Sequence, residues 1–220
     1  IHDAHVAEKY PLAKSGTERL RACFLCGKSL GVGIYSGSSL FGLRHFYGRE
    51  NALDEAVAVP RRSRLTVEVG NFARRQAQVA LHAHVQTGRI VAEQSLTFTA
   101  ENETRRGLTL SLGAPSPSAS WSLPGVVPED GASHAVLVAN FDSSATEVEI
   151  TPRFDEPTST RPRAVPVGGR SVAVVDLASL GDSGAPLAFD VRTTRASAVV
   201  VEALASWVPP AAATGSATTM

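Results

Sequence analysis

The chain has 220 residues, 43% hydrophobic and 19% charged, which excludes a disordered or fibrous chain and leaves room for one large domain or two small ones. Its 21 basic and 21 acidic residues cancel, removing the electrostatic case for nucleic acid as a partner. No apolar run reaches the ~20 residues that cross a bilayer, so no membrane span is expected within this segment.

The chain begins at Ile1 without an initiator Met and reads as part of a longer or processed protein, with any targeting signal outside it. All three lysines (Lys9, Lys14, Lys28), both cysteines (Cys23, Cys26) and all three tyrosines (Tyr10, Tyr35, Tyr47) fall in the first 47 residues. Beyond them Arg is the basic residue, and Ala, Val, Thr, Ser and Pro dominate. The break marks residues 1–29 as an irregular N-terminal segment, and the first 45 as the least ordered part of the chain, since they lack strand periodicity. Cys23-Phe24-Leu25-Cys26-Gly27-Lys28 is a Cys-x-x-Cys-Gly knuckle that can present two thiolates to one Zn²⁺. One pair is half a tetrahedral ligand set. A disulfide, two free thiols and a zinc site with His2, His5 or His45 all stay open, and no metal or cofactor is assigned.

Residues 30–113 read as a first β-unit. Leu65, Val67 and Val69 alternate with Thr66 and Glu68, which places the apolar set on one strand face. Gly113-Ala114-Pro115-Ser116-Pro117-Ser118-Ala119-Ser120 then breaks the pattern, and residues 114–120 read as a Pro/Ser linker. Residues 121–208 form a second unit. In it, Ala135–Asn140 is a short apolar run stopped by Asp142, Ser143 and Ser144. Thr146–Ile150 alternates, with Val148 and Ile150 on one face, and Ser197–Leu204 is a β-branched run suited to a strand buried on both faces. Leu137, Val148, Ile150, Val175 and Val200 are the expected core. Pro209–Met220 reads as a disordered tail.

The two units repeat one another. Ala58-Val59-Pro60 reappears as Ala164-Val165-Pro166, Arg62–Val69 matches Arg170–Leu177, and Val91-Ala92-Glu93 answers Val200-Val201-Glu202, at offsets of 106, 108 and 109. A period of this size means duplicated domains, not a solenoid. Turn clusters every ~8–12 residues complete the expectation: an all-β chain of two tandem immunoglobulin-like β-sandwich units behind a poorly ordered N-terminal segment. The first unit carries a net charge of +3 and residues 121–210 a net of −5. That asymmetry can guide docking or head-to-tail association, although ordinary solvated faces on two drifting repeats are the simpler reading.

Several stretches resemble an uncharacterised actinobacterial domain-of-unknown-function family found in tandem outside the cytoplasmic membrane. They are Trp121–Gly125, Leu137–Asn140, Val59–Val67 and Ile90–Gln94. The resemblance covers residues 55–208; it implies an extracytoplasmic β-module and supplies no catalytic residues. Residues 22–31 resemble the start of the plant Phe-Leu zinc fingers, but no second Cys pair follows, only His45 after Phe41-Gly42-Leu43-Arg44.

Gly181-Asp182-Ser183-Gly184-Ala185-Pro186 resembles the segment around the nucleophilic serine of chymotrypsin-like proteases, where a turn presents Ser Oγ beside oxyanion-hole amides. Against a hydrolase at Ser183 stand the short chain before it and the poor context of His82, His84 and His134. Gly, Asp and Ser also form turns for conformational reasons alone. His82 and His84, two apart on a strand, lack a third metal ligand. Arg61, Arg62 and Arg64 suit phosphate or anionic polysaccharide, but such a run is more often a solvated loop and strand entry. Glu93 and Glu202 are read as strand-end charges, and Gly31-Val32-Gly33 leads into no helix.

The expected function is therefore a non-catalytic structural or adhesion/binding module of the cell envelope. It is secreted or envelope-associated, with an envelope protein or polysaccharide as partner. The alternatives are a carbohydrate-binding module stacking sugars on Trp121 or Trp207, a serine hydrolase using Ser183, and a zinc-binding adaptor using Cys23 and Cys26.

Overall fold

The computed structural model describes residues 19–25, 29–47, 51–59, 63–68, 78–98, 107–125, 132–154, 162–177, 188–207 and 215–219. Among them every regular element is a β-strand. The first half holds β1 (Arg19–Leu25), β2 (Ser29–Tyr47), β3 (Asn51–Val59), β4 (Ser63–Glu68), β5 (Gln78–Phe98) and β6 (Gly107–Leu112). The second holds β7 (Ser120–Pro124), β8 (Ala132–Asn140), β9 (Thr146–Arg153), β10 (Arg163–Val167), β11 (Ser171–Asp176), β12 (Ala188–Thr193), β13 (Val200–Trp207) and β14 (Gly215–Thr219).

The second half makes two four-stranded antiparallel sheets, β10-β9-β12-β7 and β11-β8-β13-β14. Alternation decides which side chains meet between them. Val148 and Ile150 on β9, Phe189 and Val191 on β12, and Leu123 on β7 face Val136 and Val138 on β8, Val175 on β11 and Val201 on β13 in one apolar core. Each such side chain contributes about 1.5–3 kcal/mol when fully buried. Leu137 and Val200 are as deeply buried, on the opposite face of their sheet. All five expected core residues are thus inside. The run Val199–Ala205 is buried at every position, Glu202 included, as a β-branched run suited to a strand covered on both faces predicts.

The first half is arranged differently from two facing sheets. It forms one six-stranded sheet, β1-β5-β2-β3, with β4 also paired to β2 and β6 to β5. The two long strands carry two pairings each. One end of β2 pairs with β4 and the other with β3, while β5 runs alongside both parts. The separations seen in the sequence recur in the ladders. Arg64 stands opposite Tyr35 and Tyr35 opposite Val91; 108 and 109 residues on from Arg64 and Val91, Val172 and Val200 both stand opposite Ala139. Phe98 opposite Gly107 is answered at the same separations by Trp207 opposite Gly215.

Chain length explains why β2 is continuous where β8 and β9 are separate. Leu40 pairs with Ala58 as Glu149 pairs with Ala164. The path from Ala139 to Glu149 is five residues longer than that from Tyr35 to Leu40. The second half spends the difference on a turn between sheets; β2 crosses the same point with a register shift between Gly37 and Phe41.

Residues 19–25, within the segment that composition marks as irregular, form β1 along β5. Residues 215–219, within the stretch that reads as a disordered tail, form β14 along β13. Backbone pairing needs no apolar signature, and composition cannot reveal it. In the Pro/Ser linker, Ala114 is buried and Ser118 pairs with Val199 through two backbone hydrogen bonds. The halves meet where β1 lies against β8 and β13, and β14 against β6. Ala80, Ala114, Ala139, Phe141 and Val200 form an apolar cluster there, with the His82 ring edge-on to Phe141 at 5.8 Å.

Candidate functional site

Strand order brings four connections side by side at one end of the second half: 168–170, 141–145, 194–199 and 113–119. The first three each join one sheet to the other. Asn140, 2% exposed at the end of β8, braces two of them. Its Nδ2 donates to Ser144 O at 2.8 Å and to Gly168 O at 3.0 Å, and its Oδ1 accepts from Asp142 N at 3.0 Å. Arg170 N donates to Asp142 O at 2.7 Å, and Ser171 Oγ donates to Gly168 O at 2.8 Å. Arg170 has φ of 50°, the left-handed region that a tight turn demands and an L side chain disfavours.

The third loop is tied down by hydroxyls. Thr146 Oγ1 and Ser197 Oγ share a hydrogen bond of 2.5 Å. Thr193 Oγ1 donates to Ser197 O at 3.0 Å, and Thr194 N and Oγ1 both donate to Glu147 O. The fourth joins through Thr193 N, which donates to Ala119 O at 2.9 Å. Backbone polar groups are thus spent on holding the loops, while Asp142, Ser143, Ser144, Arg170 and Arg195 are exposed on them. One carboxylate, two hydroxyls and two guanidiniums on a fixed frame can recognise a polar or anionic surface.

A second polar group stands on the open face of the β10-β9-β12-β7 sheet. Asp190 accepts from Ser122 Oγ at 2.8 Å and from Arg153 Nε and Nη2 at 2.8 and 2.5 Å. The Ser122 hydroxyl, then the Arg153 guanidinium, hold its carboxyl below the usual range, against a small opposing effect of burial; the Arg153 and Arg192 charges add to the lowering. A carboxylate so held ionised is a poor proton acceptor and a good fixed charge. His134 on β8 is pushed down by burial, opposed by the Asp176 charge.

The residues singled out by sequence scatter. Ser183, Cys26, Arg61, Arg62, His2 and His5 lie outside the described residues. Cys23 stands on β1 opposite Ala80, and His45 on β2 opposite Leu81. His82 is buried between the halves, and His84 lies two positions along β5. Glu93 is half-buried and Glu202 buried, at corresponding ladder positions of β5 and β13. Gly31-Val32-Gly33 lies inside β2. Trp121 packs against both apolar clusters and donates Nε1 to Val199 O at 2.9 Å, so its ring serves packing. Trp207 stands opposite Gly215 on β14. Among the described residues no three His, Cys, Asp or Glu side chains gather to hold a metal.

Sequence reading marked Asp142, Ser143 and Ser144 only as a strand stop and passed over Asn140 and Gly169. The available signal was a polar Asn closing an apolar strand, followed 28 residues later by Gly168-Gly169. No protein-family model, curated protein or solved structure matches this chain.

Proposed function

We propose that the chain is a non-catalytic structural and binding module working outside the cytoplasmic membrane, at the cell envelope. In this reading it consists of two tandem, homologous units of immunoglobulin-like descent, and its braced loop end meets an envelope polysaccharide or protein. The observation that carries it is the Asn140 brace, a buried amide spent wholly on fixing two loops whose exposed side chains are polar. Fixing loops before contact lowers the ordering cost of binding. The matched ladder separations support duplication, and the resemblance of residues 55–208 to the actinobacterial family belongs to the same reading.

Co-sedimentation with purified actinobacterial cell walls tests it. The chain is expected in the pellet, and an Arg170→Ala, Arg195→Ala double variant is expected to lose at least about tenfold in affinity, most strongly at low salt. A chain that stays in the supernatant, or a double variant that pellets unchanged, refutes the loop end as the contact surface. Protease accessibility on intact cells tests the location: a protected, cytoplasmic chain overturns it.

A further inference from the structure

Arg170 closes the 168–170 turn, and among the described residues it is the one residue other than glycine with a positive φ. An L side chain in that region costs conformational energy that glycine, or asparagine, avoids. Gly168 and Gly169 stand directly before it, yet the strained position itself holds an arginine. Arg62–Val69, which matches Arg170–Leu177, shares three identities with it: Arg62 with Arg170, Ser63 with Ser171, and Val67 with Val175. The fold accounts for two of them. Val67 and Val175 are both buried, and Ser171 Oγ donates to Gly168 O at 2.8 Å. The arginine has no such account. Its side chain is exposed, and among the described residues the guanidinium makes no hydrogen bond or ion pair, unlike that of Arg153. Arg62 lies outside the described residues. A strained backbone position that carries a side chain bonded to nothing in the chain points to a contact outside it.

We propose that Arg170 is the specificity-determining contact of the loop end and takes a carboxylate of an acidic polysaccharide, with Arg195 on the neighbouring connection meeting a second carboxylate of the same sugar chain. The planar fork of a guanidinium matches the two oxygens of a carboxylate. Asn140 fixes the turn through Gly168 O, and Arg170 N donates to Asp142 O at 2.7 Å. The backbone that carries the fork is therefore ordered before a ligand arrives, which lowers the cost of binding. Arg195 is held in a similar way. Ser197 N donates to its carbonyl at 2.7 Å, and Ser197 Oγ is tied to Thr146. Asp142, exposed at the same end, offsets part of the two positive charges. That balance suits single charges spaced along a sugar chain and disfavours a dense polyanion.

The proposal rests on the loop end being the contact surface, and the two fail separately. A chain that pellets with cell walls through Arg170 and Arg195 but ignores polygalacturonate keeps the surface and overturns the carboxylate. One that binds polygalacturonate but no cell wall supports the carboxylate and removes the envelope reading alone. Titration calorimetry of the full chain with polygalacturonate at low salt should show binding that weakens as salt is added, and neutral dextran should give none. Arg170→Asn should lose at least about tenfold in affinity, the effect of one charge-assisted contact. It should also unfold at the parent's temperature or above it, because asparagine tolerates the left-handed turn. Arg170→Lys, which keeps the charge without the fork, should bind with intermediate affinity. An arginine held only for structure gives the opposite pattern: Arg170→Asn then lowers the unfolding temperature and leaves affinity unchanged. Either half of that pattern overturns the proposal. Arg195 lies outside the strained turn, so Arg195→Ala gives a separate reading should Arg170→Asn misfold. Its affinity should fall as well, and an unchanged affinity refutes the shared contact.

Discussion

A Cβ placed on Gly169 would lie 1.9 Å from the carbonyl oxygen of Ser143, so the 168–170 turn and the 141–145 turn touch backbone to backbone. No rotamer change relieves that contact, because the obstructing atom is main chain. Gly169→Ala must separate the turns and strain the Asn140 brace between them. It should cost about 2 kcal/mol or more, in the range of substitutions that disturb a special backbone contact. Gly168→Ala meets Ser171 Oγ at 2.9 Å, a hydroxyl that can rotate away, and should cost less than about 1 kcal/mol. Urea unfolding of the two variants checks the order; a Gly168→Ala protein the less stable of the two contradicts the described turn contact.

The brace itself predicts a difference between two replacements of Asn140. Asp keeps the acceptor for Asp142 N but loses the Nδ2 donor to Ser144 O and Gly168 O, and puts a carboxylate against two carbonyl oxygens. Ala removes all three bonds without adding charge. Both should destabilise at neutral pH, each by about 2–4 kcal/mol for the unmade buried hydrogen bonds. The Asp variant should recover part of its loss as the pH falls and its carboxyl protonates, whereas the Ala variant should not. Thermal melts at neutral and acidic pH separate them.

Strand type and burial are legible along the chain because one-sided burial writes a period of two. Thr146–Arg153 shows it residue by residue, and Val199–Ala205 lacks it because both faces are covered. Arg64 pairs with Tyr35 and Val172 with Ala139 at one of the separations that the sequence match shows. What is not legible is the merging of strands across β2. It depends on five residues present in one half and absent from the other, and Ser36-Gly37-Ser38-Ser39 reads by composition as a turn although β2 runs through it. The loop end was hidden for a related reason: Asn140 acts through three backbone partners, two of them 4 and 28 residues away, and sequence spacing carries no mark of such a contact.

Two titrating groups both make the fold lose stability as the pH falls, over different ranges. Asp190 has a folded pKa below its ordinary value, so its contribution is present above the unfolded carboxylate range and lost as pH falls through the folded pKa. The pair is exposed on the Arg153 side, and at neutral pH Asp190→Asn should cost no more than about 1 kcal/mol, less in high salt. His134 also has a lowered folded pKa, but for a base the consequence begins higher. Below about pH 6.5 the unfolded chain takes up the proton first, so stability falls from there until the folded group titrates. His134→Gln should flatten stability between neutral pH and the folded pKa and leave the more acidic limb to Asp190 and its neighbours. A pH series of denaturation midpoints on the parent and both variants checks the assignment; an unchanged slope below neutrality in His134→Gln refutes it.

Gln94 lies 1% exposed on β5, and among the described residues neither its Nε2 and Oε1 nor the buried Oγ of Ser111, directly opposite on β6, has a hydrogen-bond partner. Their ladder counterparts on β13 and β14 are Ala203 and Thr219, and Ala203 lies in the apolar core. A buried amide that makes no hydrogen bond gives up its hydration for nothing, at a cost of about 1–3 kcal/mol. Methionine has nearly the shape of glutamine and no such cost, so Gln94→Met should stabilise the chain by about 1–3 kcal/mol. Gln94→Ala removes the same penalty but leaves a cavity, whose own cost of similar size should bring the variant back near the parent. Thermal melts of the three proteins give the ranking Met above parent, with Ala beside it. A Met variant less stable than the parent would show that the amide is satisfied in the folded chain, and the described environment of β5 would then be wrong.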